Sequence, residues 1–342
     1  MRRELTLVVF AVGASSQTAA AHHSRAAYDM TQEIVVEGTV ADLQWRNPHI
    51  FMTVEAQSRG EESYRLEIEV TSVSEAPVLG LTKEAIAPGS RLVVRAHPGR
   101  AGPRARAVGL SVTTRDGTVY PLNTDARLAI RTAAAVPASG IAGRWAPTLE
   151  SFNGVMAAAR SWPLTPAGRA AGAEAASKFE QADVAVLGIC EPFPPPLLSI
   201  FPDVRTIDVN GETVTMRFEG GVGLSMERFI HLDQSEHPAD VAPTLMGHSI
   251  GRWAGDTLVI DTVAFSQHRV GTMFFPSGAS KHLVERLTLA SDRLRLEYVF
   301  TVEDPGVLAE PVSYTAIWDH RPDLQLSGET CDPEVARRPL RN

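Results

Sequence analysis

KHLVERLTLASDRLRLEYVFTVED, residues 281–304, alternates apolar and polar side chains with a period of two on both sides of a short polar break. That period belongs to strands half buried against a core, so the stretch predicts a long antiparallel hairpin turning near Ser291 and Asp292. Its apolar face carries Leu283, Glu285, Leu287 and Leu289 on the first strand, then Leu294, Leu296, Tyr298, Phe300, Val302 and Asp304 on the second. A tight turn at 290–293 that pairs Leu289 with Leu294 would set Glu285 opposite Tyr298. A carboxylate on such a face is costly unless paired. Two readings stay open: a general acid or base whose pKa burial has raised, or an ion pair with Arg228 or Arg252 that ties strands together.

Similar hairpins precede it. Val209-Asn-Gly-Glu212 is a type I′ turn signal between 204–209 and 213–218. Residues 225–232, 247–253, 257–265 and 314–318 read as further strands. Eight or so short antiparallel strands predict a closed meander barrel over 140–335. Its opening, Gly143-Arg-Trp145, resembles the G-x-W start of lipocalin-like barrels. Residues 162–182 read as the one convincing helix, with Thr165 as N-cap and Pro166 at the first helical position. The proline-rich stretch Pro192 to Pro202 reads as a rigid, non-helical loop.

Upstream, residues 34–45, 50–54, 64–70, 91–96 and 107–113 have strand character, with helical turns expected over 72–86. Five strands interrupted in this way predict a small OB-like barrel over 25–120, a curved half-open sheet being the alternative. Residues 121–139 read as a linker. The fold class expected is therefore mainly all-β, an OB-like barrel followed by a lipocalin-like one, and 342 residues suffice for two cores.

At the amino terminus, Arg2 and Arg3 precede an apolar run from Leu5 to Gly13 and the small residues Ala19, Ala20 and Ala21. This reads as a signal peptide over 1–21 and predicts a periplasmic or secreted protein. In that compartment the only two cysteines, Cys190 and Cys331, most simply form a disulfide, two separate buried thiols being the alternative. The formal net charge of -8 offers no basic footprint for nucleic acid. Arg91, Arg95, Arg100, Arg104 and Arg106 do crowd together, but Gly99, Gly102 and Pro103 between them suggest a solvated loop. No later segment has the uninterrupted apolar length of a membrane helix.

Several side chains carry candidate chemistry. His248 and His282 begin strands and Asp261 interrupts another, so the three would form an acid–base set if they met at one barrel mouth, or serve as rim residues if they did not. With Glu285 or His248 as base, Tyr298 or Arg252 would stabilise negative charge. Trp253, Phe300 and Asp304 join Asp261 and His282 as candidate ligand contacts. Cleavage after Ala21 would expose an α-amine beside His22 and His23, a nitrogen-rich set suited to Cu(II) if His49 approached; a mobile tail without metal is the alternative. No other cofactor is expected, because phosphate-loop and H-E-x-x-H patterns are missing from the sequence. These features lead to an expectation of small-molecule binding inside the second barrel, with cofactor-independent proton-transfer catalysis and copper binding as alternatives.

Ala21-His-His-Ser, Val36-Glu-Gly-Thr-Val40, Trp45-Arg-Asn-Pro-His49 and the Pro88-Gly89 turn together resemble an uncharacterised family of exported bacterial proteins, a domain of unknown function of the DUF6152 type. The resemblance covers roughly residues 20–115. Met246-Gly-His-Ser-Ile-Gly-Arg-Trp-Ala-Gly-Asp-Thr-Leu-Val-Ile-Asp-Thr262, Val284-Glu-Arg286 and Glu303-Asp-Pro305 are similar to segments of hypothetical secreted proteins. Both resemblances imply export and β domains; neither implies a mechanism.

Overall fold

The computed structural model describes residues 27–56, 63–73, 75–100, 102, 104–123, 136–179, 190–219, 225–326, 328 and 330–337. The expected signal peptide, His22, His23 and most of the expected linker lie outside them.

Two closed β-barrels follow one another. The first is built from β1 (Ile34–Gln44), β2 (Phe51–Ala56), β3 (Tyr64–Glu69), β4 (Arg91–Pro98) and β5 (Arg106–Thr114). β1 pairs antiparallel with both β2 and β4, and a parallel β3–β5 pairing closes the ring. A long first strand can serve two partners only if it bends. The register shift between Val40 and Asp42 supplies one bend. At Gly38, a Cβ would collide with the Glu55 carbonyl on β2, so only glycine admits the close approach. Turns over 75–80 and a short 3-10 helix, Glu84–Ile86, join β3 to β4, which completes the OB-like arrangement. β6 (Val119–Pro121) extends the sheet along the second half of β5. Inward residues such as Val40, Ile50, Met52, Leu66, Ile68, Val94 and Val112 form this barrel's core.

The arginine-rich stretch is only partly a solvated loop: Arg100 and Arg104 lie exposed between β4 and β5, but the other three arginines stand on strands. Arg91 and Arg95 stand on β4 and Arg106 on β5, where strand alternation sets each beside a glutamate. Arg91 lies 3.1 Å from Glu37, Arg95 2.6 Å from Glu33 and Arg106 3.2 Å from Glu67.

The second barrel has nine strands, one more than the eight or so expected, and encloses a separate core. They are β7 (Gly143–Pro147), β8 (Arg205–Asn210), β9 (Thr213–Phe218), β10 (Met226–His231), β11 (His248–Ala254), β12 (Thr257–Val263), β13 (His282–Leu289), β14 (Arg295–Glu303) and β15 (Val312–His320). Neighbours in sequence are neighbours in the ring, and β15 returns to β7. One joint departs from the expected meander: β10 and β11 run parallel, held by only Ile230↔Ser249 and His231↔Ile250. The connection over 232–247 is long enough to cross back and enter β11 from the same end as β10.

Among the described residues, four helices accompany this barrel: α1 (Leu149–Ala159), α2 (Pro166–Phe179), α3 (Leu197–Ile200) and α4 (Pro333–Arg337). In α2 the Thr165 hydroxyl caps the helix by accepting from the Gly168 amide at 2.9 Å, as its sequence predicts. α1 corrects the expectation of a single convincing helix. Asn153 and Gly154 weaken its helix propensity, but the Thr148 hydroxyl caps it and Leu149, Val155 and Ala159 bury one face. α3 corrects the reading of 192–202 as wholly non-helical; its four residues are all buried, so burial rather than propensity keeps this turn helical.

The disulfide Cys190–Cys331 is present, joining positions 141 apart in sequence. Beyond Cys331 the chain returns to the first barrel: Asn47 bridges to Cys331, and the Asp332 amide donates to the Asn47 carbonyl at 3.0 Å. Among the described residues no helix is long and apolar enough to cross a membrane.

Candidate functional site

The residues around Glu285 come together by strand alternation. Arg228 and Ile230 are buried on β10, Ser249 on β11, Thr262 on β12 and Glu285 on β13. Arg228 donates from Nη1 to Glu285 Oε1 at 3.0 Å and from Nη2 to Glu285 Oε2, making a forked ion pair. It also donates from Nε to Ser249 Oγ at 3.0 Å and from Nη2 to Thr262 Oγ1 at 2.7 Å. Tyr298 donates from Oη to Glu285 Oε1 at 2.8 Å. Burial disfavours the Arg228 cation, but the adjacent Glu285 carboxylate more than offsets this and holds the arginine pKa above its ordinary value. Burial, followed by the Glu285 charge, pushes the Tyr298 hydroxyl well above the usual phenol range.

The predicted register of the last hairpin needs correction. Leu289 pairs with Leu296 rather than Leu294, and Glu285 stands directly opposite Phe300. The turn is longer because Asp292 Oδ1 accepts from the Leu294 amide and Arg293 adopts a left-handed φ of 61°. A shift by two residues preserves the face, so Tyr298 still reaches Glu285 along the diagonal.

Side chains fill the barrel interior on either side of this pair. Trp145, Phe218, Leu258, Leu283, Phe300 and Trp318 are fully buried in one continuous core. A cleft of about 420 Å³ opens instead through the wall, at the β10–β11 seam. Because only two residue pairs join these strands, the stretches before Ile230 and Ser249 part and leave the gap. Met226, Phe229, Leu245 and Met246 supply apolar lining, while Arg228, His231, His248 and Ser249 supply polar groups. Gly247 shapes the entry to β11: its φ is 69°, and a Cβ there would lie 2.7 Å from both Thr262 Cγ2 and the Val263 carbonyl oxygen.

A hydrogen-bonded chain runs from the rim of this cleft over the barrel's outer surface. His248 Nδ1 lies 2.8 Å from His237 Nδ1, and His237 Nε2 lies 2.9 Å from Asp261 Oδ1. His282 Nε2 approaches both Asp261 oxygens at 3.2 Å, with His282 Nδ1 3.7 Å from Glu303. His231 stacks on His248 with ring centroids 5.2 Å apart. Burial and the neighbouring His237 and His231 lower the His248 pKa. Partial burial would raise that of Asp261, but hydrogen bonds from His237 and His282 outweigh it and keep the carboxylate ionised. Among the described residues, no three His, Cys, Asp or Glu side chains are arranged to hold a metal ion.

The structure thus brings His248, Asp261 and His282 into one group, with His237 as the link. Sequence reasoning missed His237, which sits in an irregular polar connection with neither period nor motif to mark it. Other candidates are dispersed. Arg252 faces outward on β11, and Trp253, next to it near the end of the strand, is 45% exposed; neither contacts Glu285 or Tyr298 among the hydrogen bonds and ring contacts of the described residues. Arg228, the other expected partner, is the one that pairs with Glu285. Phe300 is core, and Asp304 is buried, accepting from Thr272 Oγ1 at 2.6 Å and the Gly278 amide at 2.9 Å. None of these four residues lines the seam cleft.

In the first barrel, His49 Nδ1 lies 2.7 Å from the buried Glu69 Oε1, while Tyr28 Oη donates to Glu69 Oε2 at 2.7 Å. Burial opposes the His49 cation, but the Glu69 carboxylate prevails and raises its pKa. No curated protein matches the chain at a significant level. Residues 11–109, which include β1 to β4 and the start of β5, match the model of a family of unknown function (DUF6152), and it is to this family that the N-terminal barrel region is similar.

Proposed function

We propose that this is an exported protein that binds a small, partly apolar molecule at the seam of its second barrel. The observation that carries the reading is the cleft of about 420 Å³ between the parting ends of β10 and β11. Its volume falls within the range of small-molecule sites, and its mixture of apolar walls with a few polar groups suits such a ligand. Met226, Phe229, Leu245 and Met246 offer a surface to an apolar body, and His231, His248 and Ser249 offer hydrogen-bonding groups to a polar end. Export is supported by the basic-apolar-small pattern of residues 1–21 and accords with the disulfide.

Titration with 8-anilinonaphthalene-1-sulfonate, an apolar ring system carrying an anionic group, tests the site. Saturable fluorescence enhancement that is lost in Met246→Trp, with the fold retained by circular dichroism, supports the reading. Enhancement unaffected by that substitution, or no enhancement, overturns it. Processing of the precursor between Ala21 and His22 when expressed with its own leader tests export separately.

A further inference from the structure

We infer that His248 presents a fixed hydrogen-bond acceptor to the seam cleft, so the molecule held there carries a hydroxyl or N–H donor, as a phenol does. The inference rests on the cleft reading above and specifies the ligand's chemistry.

An ionised carboxylate can only accept hydrogen bonds, so His237, 2.9 Å from Asp261 Oδ1, donates from Nε2. With a single ring proton, placed at Nε2, His237 has a lone pair at Nδ1. His248 Nδ1 lies 2.8 Å away, and two facing nitrogens need one proton between them. That proton belongs to His248, because His237 has already placed its own at Nε2. His248 is therefore the Nδ1–H tautomer, and its Nε2 is left with a lone pair and no proton. His248 lines the cleft, and Nε2 is the ring nitrogen that the chain leaves available.

Asp261 and His237 are positioning residues: they act through the His248 tautomer. An imidazole in water exchanges freely between tautomers and would offer a donor as readily as an acceptor. Here an acceptor is set before a ligand arrives, which favours a ligand OH over an analogue lacking it. The charged and titratable groups around His248 are Glu227, Arg228 and His231 from β10, Asp233 and His237 from the 232–247 connection, Asp261 from β12, His282 from β13 and Glu303 from β14. Protonation of His248 would convert Nε2 into a donor and abolish the preference.

The experiment compares phenol with anisole, which replaces the hydroxyl by a methoxy group, on the full-length protein. Binding of the phenol at least about tenfold tighter is expected above the His248 pKa, falling toward equality on acidification. His248→Ala should abolish the discrimination, and Asp261→Asn should reduce it. Long-range 15N–1H correlation spectra should show the His248 proton on Nδ1. Equal affinities for phenol and anisole in wild type, or a proton on Nε2, would overturn the inference while saturable anilinonaphthalene binding upholds the cleft. Loss of anilinonaphthalene binding together with that of phenol and anisole removes the cleft itself and the inference with it.

Discussion

Arg228 and Glu285 form a forked ion pair that joins β10 to β13 across the interior of the second barrel, each side chain 1% exposed. Breaking such a pair from one side leaves a buried charge without compensation. Arg228→Met or Glu285→Gln should each cost about 3–5 kcal/mol. Replacing both by apolar residues of similar volume should cost much less, since no stranded charge remains. Denaturant unfolding of the two single variants and the double variant reads the coupling; additive losses would show that the pair does not act as a unit.

Lys281 lies in the same core, 2% exposed, with Nζ donating to the Pro195 and Gly271 carbonyls and 4.1 Å from the Phe265 ring centroid. Burial lowers its pKa to about 7, from 10.5 for a free side chain. Between these values the unfolded chain binds a proton that the folded chain does not, so stability should rise with pH across that window, by up to about 1.4 kcal/mol per pH unit from this group. Lys281→Met should remove this component of the slope. Unfolding free energies of wild type and variant, measured at intervals from pH 7 to 10, should diverge in slope; parallel curves would refute the assignment.

Glu69 holds two partners at once in the first barrel, Tyr28 and His49. Because the folded His49 pKa is raised, its stabilising contribution is fully present below the unfolded value near 6.5 and is lost as pH rises through the folded value. Glu69→Gln should bring the His49 titration, followed by NMR, back down. Tyr28→Phe should cost about 1–3 kcal/mol by removing a donor from a buried carboxylate. An unmoved His49 titration in Glu69→Gln would contradict the pairing.

The Cys190–Cys331 bridge spans a sequence separation of 141 and holds the chain where it meets Asn47. Replacing both cysteines by serine should lower stability by about 4–5 kcal/mol, the chain-entropy expectation for loops of this order. It should also speed hydrogen exchange at the Asp332 amide, which donates to the Asn47 carbonyl. Unchanged exchange there would mean that the bridge does not hold the segment in place.

Sequence by itself determined the two-barrel plan, the inward set of the last hairpin and the disulfide partners. Those follow from local alternation, from turn residues and from there being only two cysteines. Even a register wrong by two residues left Glu285 and Tyr298 on the same face, because the side-chain period of a strand is two. What only the tertiary structure decided depends on long-range geometry. The partner of Glu285 proved to be Arg228, inward on β10, because barrel closure brings that strand across from β13, whereas Arg252 faces out. The seam exists because one connection crosses back and starts β11 parallel to β10. His237 joins Asp261 to His248 because that same connection folds over the outer surface of the barrel. An irregular polar loop carries no periodicity from which such a placement can be read, so this link needed the folded chain.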